Sequence, residues 1–479
     1  VALDKTLFNG EHKQTRTENG ALTLRTSGDP HVDLFFIAGA VRGNETATRV
    51  QNLMDNALNK EFDLAARLAL WARDARGGAG ERRFFRVMLR HLIDAANTTE
   101  KKQVVRNVLD KTPMVGRWDD LLYTYGTWAW DHAVNMIFDG LRDPEVQGLV
   151  AKWMPRQGPA AAALRKHPRF DTTARQWRKM LVRKTDVVEN KMCAKQWEDI
   201  NFEQVPSLAS ARYSKAFERN SVMYHDYLKK LETGEAKVNA SAVYPHDVVK
   251  TLQSGQKQLA NEQWKALPDY MEGSEEKIIL PVVDTSGSML LQVVSGSTRA
   301  IDISVSLGMY LAERNKGPLR DYFMTFSEKP KLQKIQGSKL TDRYHNLRDA
   351  SWGYNTNLEA TYKRIVEMGV KHGLTQEQMP DILLVISDME FDQATIGKKR
   401  LSQVADELFT EAGYEPPVLV FWNLVSRHNN FPTAKNEKDK VLISGFSPSI
   451  MKSVLQADFN KITPRNVMLE TLMQERYSV

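Results

Sequence analysis

The sequence predicts two unlike parts in one chain: an all-α helical-repeat domain of the HEAT-like kind, followed by a doubly wound α/β domain. Three observations predict this. Up to about residue 270, apolar residues recur at helical spacing between Gly- and Pro-containing breaks. From Lys277 onward, short Ile- and Val-rich runs alternate with helical patterns, as in a mainly parallel sheet. Between the two lies PDYMEGSEEK (268–277), acidic and without an apolar stripe, which suits a domain boundary. A chain of 479 residues is also too long for a single hydrophobic core.

Residues 1–30, rich in Thr, Asn, Gly and charge, are expected to form an irregular N-terminal arm. The helical domain is placed at 31–270. Within it, Phe62, Ala65, Leu68, Ala69 and Ala72 make one stripe over 59–75, and Phe85, Leu89, Leu92 and Ile93 make another over 81–97. Gly77-Gly78-Ala79-Gly80 ends the first helix and frees the chain to begin the second. Val104, Val105, Val108 and Leu109 mark a third helix, Pro113–Gly116 a break, and Trp118–Met136 the region of a fourth. Further helices are expected over 208–232 and 246–256, with a surface loop at 233–242.

The α/β domain is placed at 271–458. Its first strand is the run KIILPVVDTSGSM, Lys277 to Met289, which ends abruptly in small polar residues. Further strands are expected at Asp321–Phe326, Ile382–Ser387, Val418–Trp422 and Val441–Ile443. Helices are expected at Ile301–Arg314, Leu358–Gly369, Lys398–Phe409 and Ser447–Leu455. A tail, 459–479, includes a helix at Arg465–Glu475.

Composition narrows the function classes. The net charge is +7, and it is unevenly spread: residues 1–270 hold 41 Lys and Arg against 33 Asp and Glu, and residues 151–200 hold 12 against 5. Such asymmetry suggests a nucleic-acid surface on the first domain only. The candidate contacts are Arg165, Lys166, Arg169, Arg175, Arg178, Lys179, Arg183 and Lys184, with Trp153 and Trp177 nearby. The same pattern is compatible with a solvated helix face, and the two indoles with core anchors. Arg73, Arg76, Arg82 and Arg83 flank the Gly-rich junction and form a second, weaker set.

One cysteine, Cys193, excludes an internal disulfide and a multi-cysteine zinc site. The apolar runs are strand-sized, and VALDKTLFNG lacks the blocks of a signal peptide, so a cytoplasmic protein without membrane spans, acting as a monomer, is expected. No G-x-S-x-G, Walker or H-E-x-x-H pattern is present, and the expectation is a non-catalytic protein.

The α/β half also carries a constellation of oxygen donors. Asp284, Ser286 and Ser288 follow the first strand, Thr356 precedes a helix, and Asp388 ends the strand Ile382–Ser387. Carboxylates and hydroxyls without sulfur or imidazole suit a hard cation such as Mg²⁺. Helix capping would explain Ser288 by itself, though less readily the set. Glu390 and Asp392 follow closely, as outer groups or as solvated loop charges.

A strand-end D-x-S-x-S with a later Thr and a later strand-end Asp resembles the metal-ion-dependent adhesion site (MIDAS) of von Willebrand factor A domains. The chain from about 30 to 455 resembles the Ro autoantigen family, in a divergent branch with plant and viral members. That resemblance rests on LFFIAGAVRG (34–43), RDARGGAGERR (73–83), GRWDDLL (116–122), VPSLASARYSKAF (205–217), the DTSGSM loop and SDMEFDQA (387–394). It implies a TROVE module of helical repeats closed into a ring, followed by an A domain. It further implies a ribonucleoprotein function in which a basic helical surface holds structured or misfolded small RNA. Asp284, Ser286, Ser288, Thr356 and Asp388 would surround one Mg²⁺, open to an acidic group of a protein partner. A protein-interaction module that uses the metal site without RNA is the other reading.

Overall fold

A computed structural model describes residues 14–240, 242–272, 274–295, 298–316, 318–325, 329–348, 356–395 and 399–479. Residues 1–13 of the expected arm, the loop 352–355 ahead of Thr356, and the predicted ends at Phe326 and Lys398 lie outside the described residues. An N-terminal all-α region is followed by a mixed α/β domain with a parallel sheet. The chain forms two compact units: an α/β unit of 14–53, 77–79 and 243–474, and a helical unit of 54–76, 80–242 and 475–479.

The α/β unit opens with a hairpin of β1 (Gln14–Arg16) and β2 (Leu22–Leu24), paired antiparallel. Then follow β3 (Ile279–Val283), a small ribbon of β4 (Val293–Ser295) and β5 (Thr298–Arg299), and β6 (Tyr322–Thr325), β7 (Leu332–Lys334), β8 (Ile382–Ser387), β9 (Val418–Asn423) and β10 (Lys440–Ser444). Six of these form one sheet in the order β10-β9-β8-β3-β6-β7, parallel except for β7 at the edge. Every residue of β3, β8, β9 and β10 is buried, which is why these strands read as unbroken apolar runs. The strand order reverses between β3 and β8. In open α/β sheets the crevice beyond the carboxyl ends of such a pair is where ligands bind.

Helix Ala300–Arg314 packs on β3. A Cβ on its Gly308 would come within 2.4 Å of Val283 Cγ2, so glycine lets helix and strand approach just before Asp284. Ser304 Oγ from the same helix donates to the Asp284 carbonyl at 2.9 Å.

The units divide the chain differently from the expected domains. Helix Pro30–Ala38, capped by Asp29 with Pro30 at its first turn, packs on β10 and belongs to the α/β unit. There the Gly39 amide donates to Ser444 Oγ at 3.0 Å. Helices Pro245–Gln253 and Lys257–Lys265 also belong to the α/β unit, the latter through Trp264 Nε1, which donates to Glu313 Oε2 at 2.9 Å. Conversely, residues 475–479 belong to the helical unit, where Arg476 and Tyr477 both meet Asp74. An amphipathic stripe states that a helix must be covered, not what covers it.

In the helical unit the expected helix 59–75 begins at Phe62, and the third helix runs Thr99–Val115, through Pro113 in its last turn. A proline there removes one hydrogen bond near an end that frays, and the Gly116 amide still reaches the Thr112 carbonyl at 2.8 Å. The expected helix 208–232 is two, Ser207–Asn220 and Val222–Thr233, divided at Ser221. The Ser221 hydroxyl caps the second helix by accepting from the Tyr224 amide. No helix among the described residues is long and apolar enough to cross a membrane.

Candidate cation site and basic helix face

β3 and β8 are neighbours in register, with Val283 opposite Ile386, so the residues that follow them emerge side by side. Asp284 is fully buried. Its Oδ1 accepts from the Ser286 amide at 2.9 Å, and its Oδ2 accepts from the Ser387 hydroxyl. Ser286 Oγ lies 2.9 Å from Ser288 Oγ, and Ser288 is near enough to the Asp388 carboxylate to favour its ionised form. Asp284, Ser286 and Ser288 are thus linked by direct contacts, and the register of β3 and β8 brings Asp388 to the same edge. Thr356 joins through the loop after β8: its hydroxyl donates to Asp392 Oδ1 at 2.7 Å, and its carbonyl accepts from the Asp392 amide. Asp392 is therefore tied to Thr356 rather than merely solvated.

Asp388 is buried as well, and its geometry is enforced by its neighbour. Met389 has a φ of 65°, a left-handed conformation that costs a non-glycine residue roughly 1–2 kcal/mol. The buried Met389 side chain and its amide bond to Ser387 Oγ hold it there. The turn lets Asp388 Oδ1 accept from the Glu390 amide at 3.2 Å.

Electrostatics set these two carboxylates apart from the rest of the sheet edge. Burial, and then the negative charge of Asp388, push the Asp284 carboxyl up to about 7 against the pull of its hydrogen bonds. Burial also raises Asp388, offset in part by Arg427, whose Nη2 donates to Asp388 Oδ2 at 3.0 Å. Two buried carboxylates share a hydroxyl-lined sheet edge with one guanidinium, which of the two contacts Asp388. That donor set fits a divalent hard cation, which would neutralise both acids and keep some water in its shell.

Around this edge lies a second layer, of which the sequence offered Glu390 as a candidate outer group but not Glu18, Arg427 or His428. Glu18 Oε2 lies 2.9 Å from Arg427 Nη1, and the Glu18 amide donates to Glu390 Oε2 at 2.7 Å. Glu390, buried, also accepts from Asn430 Nδ2 at 2.8 Å and lies 3.1 Å from His428 Nδ1. Ligand atoms of Glu18, Glu390 and His428 fall within 4.8 Å of one another, close enough to chelate a divalent ion. Asn19-Gly20, a dipeptide common in tight hairpins, was the available signal for Glu18.

The expected RNA contacts lie in the helical unit. Helix Ala174–Lys184, capped by Thr173, buries Trp177 and Leu181 on one side. Arg175, Arg178, Lys179 and Arg183 are all exposed, and their spacing puts them on the opposite side around the exposed Val182. None of the four makes an ion pair among the described residues; Arg178 Nε donates to the Ala174 carbonyl of its own helix. The remaining four also make no ion pair among the described residues, and Lys166 and Arg169 are exposed as well. Lys184 Nζ donates to Gln147 at 2.9 Å, Arg165 Nε to the Ala161 carbonyl, and Arg169 Nε to Asn135.

Trp177 is a core residue whose Nε1 donates to the Pro155 carbonyl, so it is not free to stack on a base. Trp153 is half-buried beneath the Arg117 guanidinium, 4.2 Å from its ring centre. In the second arginine set, Arg76, Arg82 and Arg83 are exposed, but Arg73 is buried with its Nε 2.7 Å from Asp120 Oδ2. Gly116 makes room for that pair, since a Cβ there would lie 2.8 Å from both.

Two families match the chain, each described as a domain of unknown function: DUF2828 over residues 149–276 and DUF7788 over residues 279–476. The matches meet just before β3. An uncharacterized protein of Acanthamoeba polyphaga mimivirus is 28% identical over 510 residues, covering 95% of this chain and 86% of that protein.

Proposed function

We propose that this protein is a non-catalytic RNA-binding scaffold, a cytoplasmic monomer that holds structured or misfolded small RNA on a basic helical surface. Its α/β unit would be a von Willebrand factor A-like domain with a Mg²⁺-dependent adhesion site. The observation that carries the RNA reading is the face of helix Ala174–Lys184, where four exposed cations share one side with no acidic residue paired to them among the described residues. Such a face suits phosphates, since a cation already held by a carboxylate must give up that partner before it can meet a phosphate. The sheet order with its antiparallel edge strand, the contacts among Asp284, Ser286 and Ser288, and the arrival of Asp388 at the same edge support the A-domain reading. Those four residues and Thr356 would hold the cation, which would offer a coordination position to an acidic group of a protein partner. Closure of a TROVE-like helical module into a ring, implied by the sequence resemblance, belongs to the same proposal.

The test is a gel shift with a structured RNA hairpin at low and moderate salt, comparing the wild type, the double variant Arg178→Glu/Lys179→Glu, and Asp284→Ala. Binding should weaken with salt, drop at least tenfold in the double variant and survive in Asp284→Ala. Absence of binding at low salt, or indifference to the charge reversal, would defeat the RNA reading and leave an interaction module built on the metal site.

A further inference from the structure

The turn of the β1–β2 hairpin is placed on the sheet edge by more directed contacts than so small an element needs for packing. Thr17 Oγ1 donates to the Phe391 carbonyl at 2.6 Å, and the Glu18 amide to Glu390 Oε2 at 2.7 Å. Asn19 Nδ2 donates both to the Glu390 carbonyl at 2.7 Å and to Thr356 Oγ1 at 2.9 Å, so the turn directly touches one of the expected cation ligands. Gly20 is bridged to Asp392. The apolar anchors are slight, chiefly Ala21 and Leu24, and a hairpin with three-residue strands has little stability of its own. Polar contacts therefore set where the turn lies.

What the turn delivers is a carboxylate. Glu18 Oε2 meets Arg427 Nη1 at 2.9 Å, and the same guanidinium holds Asp388 Oδ2 through Nη2 at 3.0 Å. One guanidinium thus separates the Glu18 carboxylate from that of Asp388. The other Glu18 oxygen lies 3.7 Å from His428 Nε2, on a side chain that is about half exposed. A divalent cation with Asp284 and Asp388 is neutral, and Arg427 beside Asp388 leaves the edge one positive charge in excess, which an additional acidic oxygen would balance.

Resting on the cation site proposed above, we infer that Glu18 is that site's resident acidic ligand. The Thr17–Gly20 turn occupies the coordination position that an outside acidic group would use, and a partner gains the site by displacing it. Arg427 keeps the turn near the edge when no cation is bound, by pairing with Glu18 and Asp388 together.

The experiment uses the full chain with Mn²⁺ as probe, followed by electron paramagnetic resonance and water-proton relaxation, in the wild type, Glu18→Gln and Asp284→Ala. The wild type should bind Mn²⁺ and Asp284→Ala should not. Glu18→Gln should bind ~10-fold more weakly, and each bound Mn²⁺ should relax water protons more strongly, because water fills the vacated position. Hydrogen exchange at the Ala21 and Leu24 amides, which donate to Phe391 and Phe431, should slow on Mn²⁺ addition in the wild type and not in Glu18→Gln. Glu18 is about half exposed, so the amide substitution does not threaten folding. If Asp284→Ala abolishes binding while Glu18→Gln matches the wild type in affinity and relaxation, the resident-ligand inference alone is overturned. A wild type that fails to bind Mn²⁺ overturns both this inference and the cation site beneath it.

Discussion

Replacing His246 with glutamine should make the stability of the α/β unit respond to pH differently from the wild type. His246 stands at the start of helix Pro245–Gln253, buried edge-on against Phe446 with ring centres 5.6 Å apart. Burial is the main cause that pushes its imidazole down from 6.5 to about 4; Arg42 and Lys250 add to the shift, and Asp247 and Asp302 oppose it. A histidine depressed in the folded state binds its proton more readily when unfolded. Its contribution is therefore fully present above pH 6.5 and is lost as pH falls toward 4. From those two values, the wild type should lose about 2 kcal/mol relative to His246→Gln between pH 7 and pH 5.

Asp33 in the same unit works the other way, since burial raises it to about 6, so the folded state takes up a proton first as pH falls. By the same relation it should return roughly 1 kcal/mol to the wild type over that interval, which is why the difference between variants is the quantity to measure. Urea unfolding of both proteins at pH 7, 6 and 5 supplies it. A stability difference that stays constant with pH would refute the buried neutral imidazole.

Two further outcomes follow from the helical unit. If the four unpaired cations of helix Ala174–Lys184 each meet one phosphate, the log–log dependence of RNA affinity on salt should have a slope of about −3, a loss of roughly 50- to 150-fold between 50 and 200 mM. Fluorescence anisotropy with Arg178→Ala/Lys179→Ala should show that slope reduced by about half, and an unchanged slope would place the contacts elsewhere. Asp120→Ala should destabilise the helical unit by roughly 3–5 kcal/mol in urea unfolding, because it leaves the buried Arg73 and the partly buried Arg86 without their carboxylate. A loss under 1 kcal/mol would mean that water reaches Arg73.

Strands buried on both faces were legible almost to the residue: β8 occupies Ile382–Ser387 as expected, and β9 and β10 extend their predicted spans by a residue or two. Their signal is a local run of apolar residues. β7, with three residues and no fully buried position, carries no such run and went unseen, as did the polar β1–β2 hairpin. Helix Pro30–Ala38 was missed although Asp29-Pro30 is a start signal, because eight of its nine residues are buried and an all-round apolar helix has no stripe to count. Helix Pro245–Gln253 was expected over 246–256 and grouped with the helical domain, since chain order was the available guide to its partners, and helix Lys257–Lys265 was not expected.

The candidate sites divide along the same line. Asp284, Ser286, Ser288 and Asp388 were readable because each follows a strong strand at a fixed offset, and parallel strands in register carry their ends to one edge. Glu18, Arg427 and His428 reach that edge from segments some 400 positions apart, through single polar contacts that leave no period in the sequence. On helix Ala174–Lys184 the sequence could count cations but not sort them. Sorting came from Trp177 and Leu181, whose burial fixes which side faces outward and so leaves four charges on it. In both cases the apolar residues decide where the charges stand. A loss of RNA affinity on enlarging or shrinking Trp177, with all four cations intact, would be a packing effect transmitted to the face, which is why the charge variants rather than the indole are the decisive ones.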